Sequence, residues 1–74
     1  MTLRVGMLWF DDSADRPLEA KIERAARRYR EKYGRAPNVC YVHISAFKAE
    51  ASTEALKVIG RADILPHHLW LGEA

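Results

Sequence analysis

Two adjacent carboxylates, Asp11 and Asp12, follow an apolar stretch that ends at Phe10. Open α/β sheets usually bind their ligands at the carboxyl ends of strands, where this pair would lie. Mg²⁺ prefers one or two carboxylates together with waters and substrate phosphates. The pair therefore suits a metal-dependent phosphodiesterase or nuclease. Alternatively, the acidic residues solvate a turn and complement the positive end of the next helix, and we favour this second interpretation.

The histidines are further candidates for chemistry. His43 lies at the carboxyl end of a second apolar stretch, where it serves either as a catalytic base or as a hydrogen-bonded structural residue. His67 and His68 are adjacent, so in a strand their side chains point to opposite sides. We therefore expect at most one of them to meet His43 or Asp11 in a common site.

Cys40 is the single cysteine, so an internal disulfide and a Cys-rich zinc site are excluded. In a strand, Cys40 and His43 point to opposite sides and form no ligand pair. We predict that Cys40 is a small buried hydrophobe, and we predict no metal site and no cofactor. One thiol without a framework of bridges suits a reducing cytoplasm.

Strong enzyme signatures are missing from the sequence. It has no glycine-rich phosphate loop, Walker motif, nucleophile elbow or His-Glu-x-x-His helix. Ser45 follows His43 by two residues, but no acid is positioned to complete a triad. These absences favour a binding or interaction module over an enzyme.

A set of basic residues recurs at helical spacing and lies within about 80° around a helix. We call this set the basic ridge; it comprises Lys21, Arg24, Arg28, Lys32 and Arg35. Such a ridge contacts nucleic-acid phosphates or an acidic protein, or it is merely a solvated surface. On the other flank, the spacing predicts ion pairs of Arg27 with Glu23 and with Glu31.

The helix that carries the ridge is the clearest local prediction. Its apolar positions form one stripe at a period of 3.6 residues, comprising Leu18, Ile22, Ala25, Ala26, Tyr29 and Tyr33. We expect the helix to begin near residue 16, with Pro17 in its first turn and Ser13 or Asp15 as its cap. Gly34 supplies a left-handed stop.

Apolar and β-branched runs at residues 3–10 and 39–44 predict strands on either side of this helix. The resulting β-α-β unit should be a right-handed crossover with parallel strands. Residues 46–55 suit a short helix or a loop, residues 56–59 favour a brief strand, and residues 67–71 predict a closing strand. The predicted fold is α/β, a single domain over residues 1–74 with one long helix on a mixed sheet of three or four strands.

Residues 3–33, which form a strand ending in Asp11 and Asp12 followed by a polar turn and a basic helix, resemble the opening of the small CRISPR-associated ferredoxin-like endoribonucleases. That resemblance implies a nuclease. The family continues through a second full helix, for which residues 46–55 have little room. We do not assign the chain to the family.

The apolar runs at residues 7–10, 39–44 and 69–71 look apolar on both sides, yet one full helix covers one side only. Either residues 46–55 or a second copy of the chain covers the other side. We favour the second copy and predict a homodimer. A net charge of +2 leaves nucleic acid or an acidic protein as further partners. No apolar run approaches the roughly 20 residues of a membrane span, and no secretory signal is recognised, so we expect a cytoplasmic protein.

Overall fold

The computed structural model describes residues 5–74. Five regular elements are joined by short links and two 3₁₀ turns, Ile44–Ala46 and Ala49–Ala51. The elements are β1 (Val5–Phe10), α1 (Leu18–Tyr33), β2 (Val39–His43), β3 (Lys57–Arg61) and β4 (His68–Glu73). This confirms the predicted α/β class with one long helix and a closing strand. Leu3 and Arg4 of the predicted first strand lie outside the described residues.

The helix α1 buries the predicted stripe, with Ala25 and Tyr29 fully inaccessible and Tyr33 partly covered. It ends at Gly34, which has a φ of 73° and donates its N–H to the Arg30 carbonyl at 2.8 Å. Glycine adopts this left-handed conformation without a steric penalty. Across residues 5–74, none of the helical structure is long and apolar enough to cross a membrane.

The helix begins at Leu18, two residues later than predicted. The predicted cap was also wrong. Pro17 is the N-cap, and no described side chain donates to or accepts from the first turn as a cap. Ser13 does not cap because its backbone N–H and its hydroxyl both bind Asp11 instead. The turn before α1 is therefore organised around a carboxylate.

The four strands form one mixed sheet in the order β1-β4-β2-β3. β4 is antiparallel to both β1 and β2, whereas β2 and β3 are parallel. β1 and β2 therefore run in the same direction, as the β-α-β prediction requires, but they are not neighbours. The closing strand lies between them, and its side chains Leu69 and Leu71 are buried in the core.

The link between β2 and β3 packs on the same side of the sheet as α1. Gly60 has no side chain, and a Cβ there would lie 2.9 Å from Ile44 Cδ1 and from Phe47 Cβ. Val58, two residues earlier in β3, points to the same side as a Cβ on Gly60 would. It belongs to the buried cluster that contains the helix stripe. Residues 44–51 form 3₁₀ turns rather than a second helix, so the chain departs from the endoribonuclease pattern here, and this segment does not cover the other side of the sheet.

That other side, which we call the open face, carries an apolar row across all four strands. The strand register places Leu8 opposite Trp70, Trp70 opposite Tyr41, and Tyr41 opposite Ile59. Leu8 is 52% exposed and Ile59 is 41% exposed, and Phe10 beside them is 57% exposed. Among residues 5–74 no helix lies over this row, but the link from β3 to β4 borders Leu8 and Trp70, and its Ile64 is buried. The two-sided apolar character expected from the sequence is present, and it is most exposed at Leu8, Phe10 and Ile59.

The far end of α1 is linked to β4 through Glu73. The Tyr29 hydroxyl donates to Glu73 Oε2 at 2.9 Å, and Arg35 approaches Oε1 at 2.7 Å. Burial, and then the neighbouring carboxylate, raise the pKa of Tyr29 to about 12. The neutral phenol is thus the form that the folded chain favours.

Replacing this tyrosine by phenylalanine removes a hydrogen bond to a charged group, so Tyr29→Phe should lower the free energy of unfolding by about 1.5–3 kcal/mol. Because the folded pKa lies above the ordinary 10.0, this advantage of the wild type is complete below pH 10 and is lost as the pH rises towards 12. Urea unfolding of both proteins across this range measures the difference. A difference that does not change with pH would contradict the assignment.

Cys40 is fully buried on the helix side of β2, as predicted, and burial raises the pKa of its thiol to about 12. We expect the native protein not to react with a thiol-specific disulfide reagent at mildly alkaline pH, because the thiolate is the reacting species. The same reagent should modify one thiol per chain after denaturation. Rapid modification of the folded protein would show that β2 is not covered by α1.

Candidate functional site

The carboxyl ends of β1 and β2 meet the start of α1 at one edge of the sheet, where Asp11 anchors the turn. Asp11 Oδ1 accepts the Ser13 N–H at 3.0 Å and the Ser13 hydroxyl, and Oδ2 accepts from Arg16 at 3.0 Å. These hydrogen bonds, those of Ser13 foremost, hold the pKa of Asp11 well below its usual range. Both carboxylate oxygens are therefore engaged in the turn.

Asp12, the second carboxylate of the predicted pair, differs from Asp11 in its surroundings. Its side chain is exposed and makes no hydrogen bond or ion pair with any described residue. Within residues 5–74, no group of three or more His, Cys, Asp or Glu side chains is placed to hold a metal ion.

The histidines are held by local hydrogen bonds. Ser45 donates its N–H to His43 Nδ1 at 3.1 Å, so this nitrogen is the acceptor. His68 Nδ1 lies 2.8 Å from the Pro66 carbonyl, which can only accept, so this nitrogen carries the proton. The His68 ring also packs against Phe10 at a centroid distance of 5.0 Å. Neither imidazole has a carboxylate partner in the described chain.

A cavity of about 50 Å³ at this edge is bordered by Asp11, His43, His67 and His68. The sequence placed both adjacent histidines in the closing strand, but β4 begins at His68. His67 precedes β4 and has a φ of 65°, so strand alternation does not govern its direction. Its carbonyl accepts the Asp11 N–H at 2.9 Å, which joins the segment before β4 to the turn after β1.

The basic ridge is only partly free, and Arg35 does not belong to the helix as predicted, because α1 ends at Tyr33. Arg28 lies 3.4 Å from Glu31 and Arg35 lies 2.7 Å from Glu73. Lys32 lies 5.3 Å from the centre of the Tyr33 ring. Lys21 and Arg24 have no carboxylate partner among residues 5–74. Lys21 and Arg24 are thus ridge cations without an ion pair, although the excess positive charge of α1 lies in its second half, residues 26–33.

The opposite flank of α1 carries one of its two predicted ion pairs. Arg27 reaches Glu23 at 3.7 Å. Glu31 pairs with Arg28 rather than with Arg27, because the residue three positions earlier is also within reach. Arg27 therefore keeps Glu23 as its ion-pair partner, and its side chain is 60% exposed on the outer surface of α1.

A groove beside β1 was missed by the sequence analysis. It has a volume of about 240 Å³, and Trp9 of β1 borders it together with Arg24, Arg27, Arg28 and Glu31 of α1. Trp9 lies on the helix side of β1, where it packs against the buried cluster. Nothing in the sequence indicates that β1 is an edge strand. At this edge position the Trp9 indole can border a groove on the surface of α1.

Comparison with known proteins adds no family to this description. No family model, no curated protein and no solved structure matches the chain.

The contacts of Asp11 generate a prediction about stability. A carboxylate with a lowered pKa contributes stability at neutral pH that is lost as the pH falls below the ordinary value of 3.8. Asp11→Asn should therefore be less stable than the wild type at pH 7, and the gap should narrow at pH 3. Urea midpoints measure both values.

The matched control is Asp12→Asn, which removes the neighbouring carboxylate without removing a described contact. This variant should match the wild type at both pH values. Equal losses of stability in Asp11→Asn and Asp12→Asn would show that the turn is not organised around Asp11.

Proposed function

We propose that the chain is a small non-enzymatic interaction module that assembles as a homodimer through its open face. The observation that carries the proposal is the partly exposed apolar row that crosses all four strands through Leu8, Trp70, Tyr41 and Ile59, with Leu8 and Ile59 its most exposed members. Contiguous exposed apolar surface on a small protein marks an interaction site. Two copies placed face to face would bury this row against itself.

The size of the apolar surface supports this proposal. The large apolar side chains of the open face and its rim leave on the order of 500 Å² uncovered, given about 150–250 Å² for a complete large side chain. These side chains are Leu8, Phe10, Tyr41, Ile59, Leu65 and Trp70. A standard interface takes about 800 Å² from each partner. The open face would thus supply an apolar centre, and the polar residues around it would form the rim.

The shape and charge of the open face suit a second copy as the occupant. A mostly apolar hollow of about 200 Å³ is bordered by Leu8, Leu65 and Trp70, and Phe10 projects close to it at 57% exposure. A two-fold dimer needs both a hollow and a projection on the same surface. Arg61 on this face is neutralised by Asp63 at 2.8 Å, so charge repulsion between two copies is reduced.

A nucleic acid is a poorer occupant for the open face than protein. Leu8, Ile59 and Leu65 are aliphatic and offer no ring on which a base could stack. A location in the cytoplasm fits the free thiol of Cys40. The metal-dependent phosphodiesterase interpretation has less support, because the Asp11 carboxylate is engaged by Ser13 and Arg16.

A charge introduced into the apolar row of the open face tests the proposed dimer. Burying a leucine side chain contributes about 1.5–3 kcal/mol, and each dimer would bury two copies of Leu8. Leu8→Lys should therefore raise the dissociation constant about a hundredfold or more. Sedimentation should show twice the 8.5 kDa of one chain for the wild type and a single chain for the variant at the same concentration.

Ile44→Lys is the matched control, because Ile44 is 54% exposed and packs on the helix side of the sheet. It loses a similar apolar side chain and gains the same charge, and it should remain dimeric. Circular dichroism should show that both variants are folded. A wild type that stays monomeric at high micromolar concentration, or equal dissociation of both variants, would contradict the proposal.

A further inference from the structure

The positive charge of the chain is concentrated on α1. Its 16 residues contain six Lys or Arg and three Glu, a net charge of +3, whereas the whole chain has +2. The rest of the chain is therefore −1. In a dimer joined through the open face, both copies of α1 would point outwards, so the basic surface stays accessible whether or not the chain dimerises.

The groove beside β1 adds an aromatic side chain to this basic surface. Trp9 lies between the edge of the sheet and the arginines Arg24, Arg27 and Arg28. An acidic peptide would need only the cations. The Trp9 indole is partly buried against the core and its Nε1 is buried, so only the part that borders the groove offers a surface on which a nucleobase can stack. Such stacking is largely independent of base type.

The ion pairs within the groove are weak enough to be replaced. Arg27 and Glu23 are 3.7 Å apart, Arg28 and Glu31 are 3.4 Å apart, and all four side chains are more than half exposed. Exposed pairs of this kind contribute about 0.2–1 kcal/mol, and hydrogen bonds from arginine to phosphate are stronger. Arg24 has no partner to lose within residues 5–74.

The dimensions of the groove favour part of a longer strand over a free small molecule. Its volume of about 240 Å³ is below the roughly 300 Å³ at which pockets for complete small ligands begin. A single base could enter while its flanking phosphates contact cations along α1. A base can reach an indole in this way only where it is unstacked, as in a single strand.

We propose that the groove formed by Trp9, Arg24, Arg27 and Arg28 binds single-stranded nucleic acid. One base stacks on the Trp9 indole, and the adjacent phosphates accept hydrogen bonds from the arginines. With three phosphate contacts, the slope of log K against log salt should be about −2, since each contact to a single strand contributes about 0.7. This site lies on the helix side of the sheet and is separate from the open face.

The first test measures the binding of a fluorescently labelled oligouridine and oligothymidine to the full chain by anisotropy. Arg24→Glu with Arg28→Glu should weaken binding at least tenfold. The control, Arg30→Glu with Lys48→Glu, changes the net charge equally at two exposed residues outside the groove, and it should weaken binding less than threefold. Equal losses of affinity in the two double variants would overturn the proposal. So would a wild type that binds neither oligonucleotide at low salt.

The second test asks whether a base contacts Trp9. Trp70 is the other tryptophan and lies on the opposite side of the sheet, so Trp70→Phe makes Trp9 the only indole emitter. Oligouridine should quench its fluorescence, whereas polyphosphate, which has no bases, should not. Trp9→Leu should weaken oligonucleotide binding about five- to a hundredfold with little change for polyphosphate. Absence of quenching, or equal effects on both ligands, would show that an anion alone is recognised and would refute the stacking.

Discussion

Burial of the α1 stripe against β4 is the interaction on which the rest of the fold depends. Tyr29, Ala25 and Leu71 are fully inaccessible where helix and strand meet, and each large side chain buried there contributes about 1.5–3 kcal/mol. Because α1 is the only long helix among residues 5–74, it can cover only one side of the sheet. The link from β2 to β3 also packs on this side, where the side chains of Ile44 and Phe47 lie against Gly60. The open face is the consequence, and its apolar row is what makes self-association the function we propose.

The same constraint gives the two sides of the sheet different chemistry. On the helix side, the outer surface of α1 carries the excess positive charge and Trp9 reaches it from the edge of the sheet. On the open face, the charged residue Arg61 is paired with Asp63, and aliphatic and aromatic side chains predominate. A module with these two surfaces can contact a copy of itself and an anionic ligand at the same time. The two proposals can therefore succeed or fail independently.

The sequence predicted what depends on local periodicity and missed what depends on sheet order. The stripe on α1, the stop at Gly34 and the burial of Cys40 follow from spacing and residue type, and the structure has all three. The position of β4 between β1 and β2 could not be predicted, because Leu69 and Leu71 would suit an edge or a centre equally well. The groove at Trp9 was missed for the same reason. At the turn, Ser13 was predicted as a helix cap, but its contact with Asp11 depends on a competition between two acceptors that residue types alone do not decide.

The most direct measurement of the central claim is the exposure of individual methyl groups to a soluble paramagnetic probe at low and high protein concentration. Methyl groups of Leu8 and Ile59 report on the open face, and that of Ile44 reports on the helix side. If the open face joins two copies, relaxation enhancement at Leu8 and Ile59 should fall as the concentration rises, while that at Ile44 stays constant. Enhancement that is independent of concentration at all three residues, or that falls only at Ile44, would contradict the account.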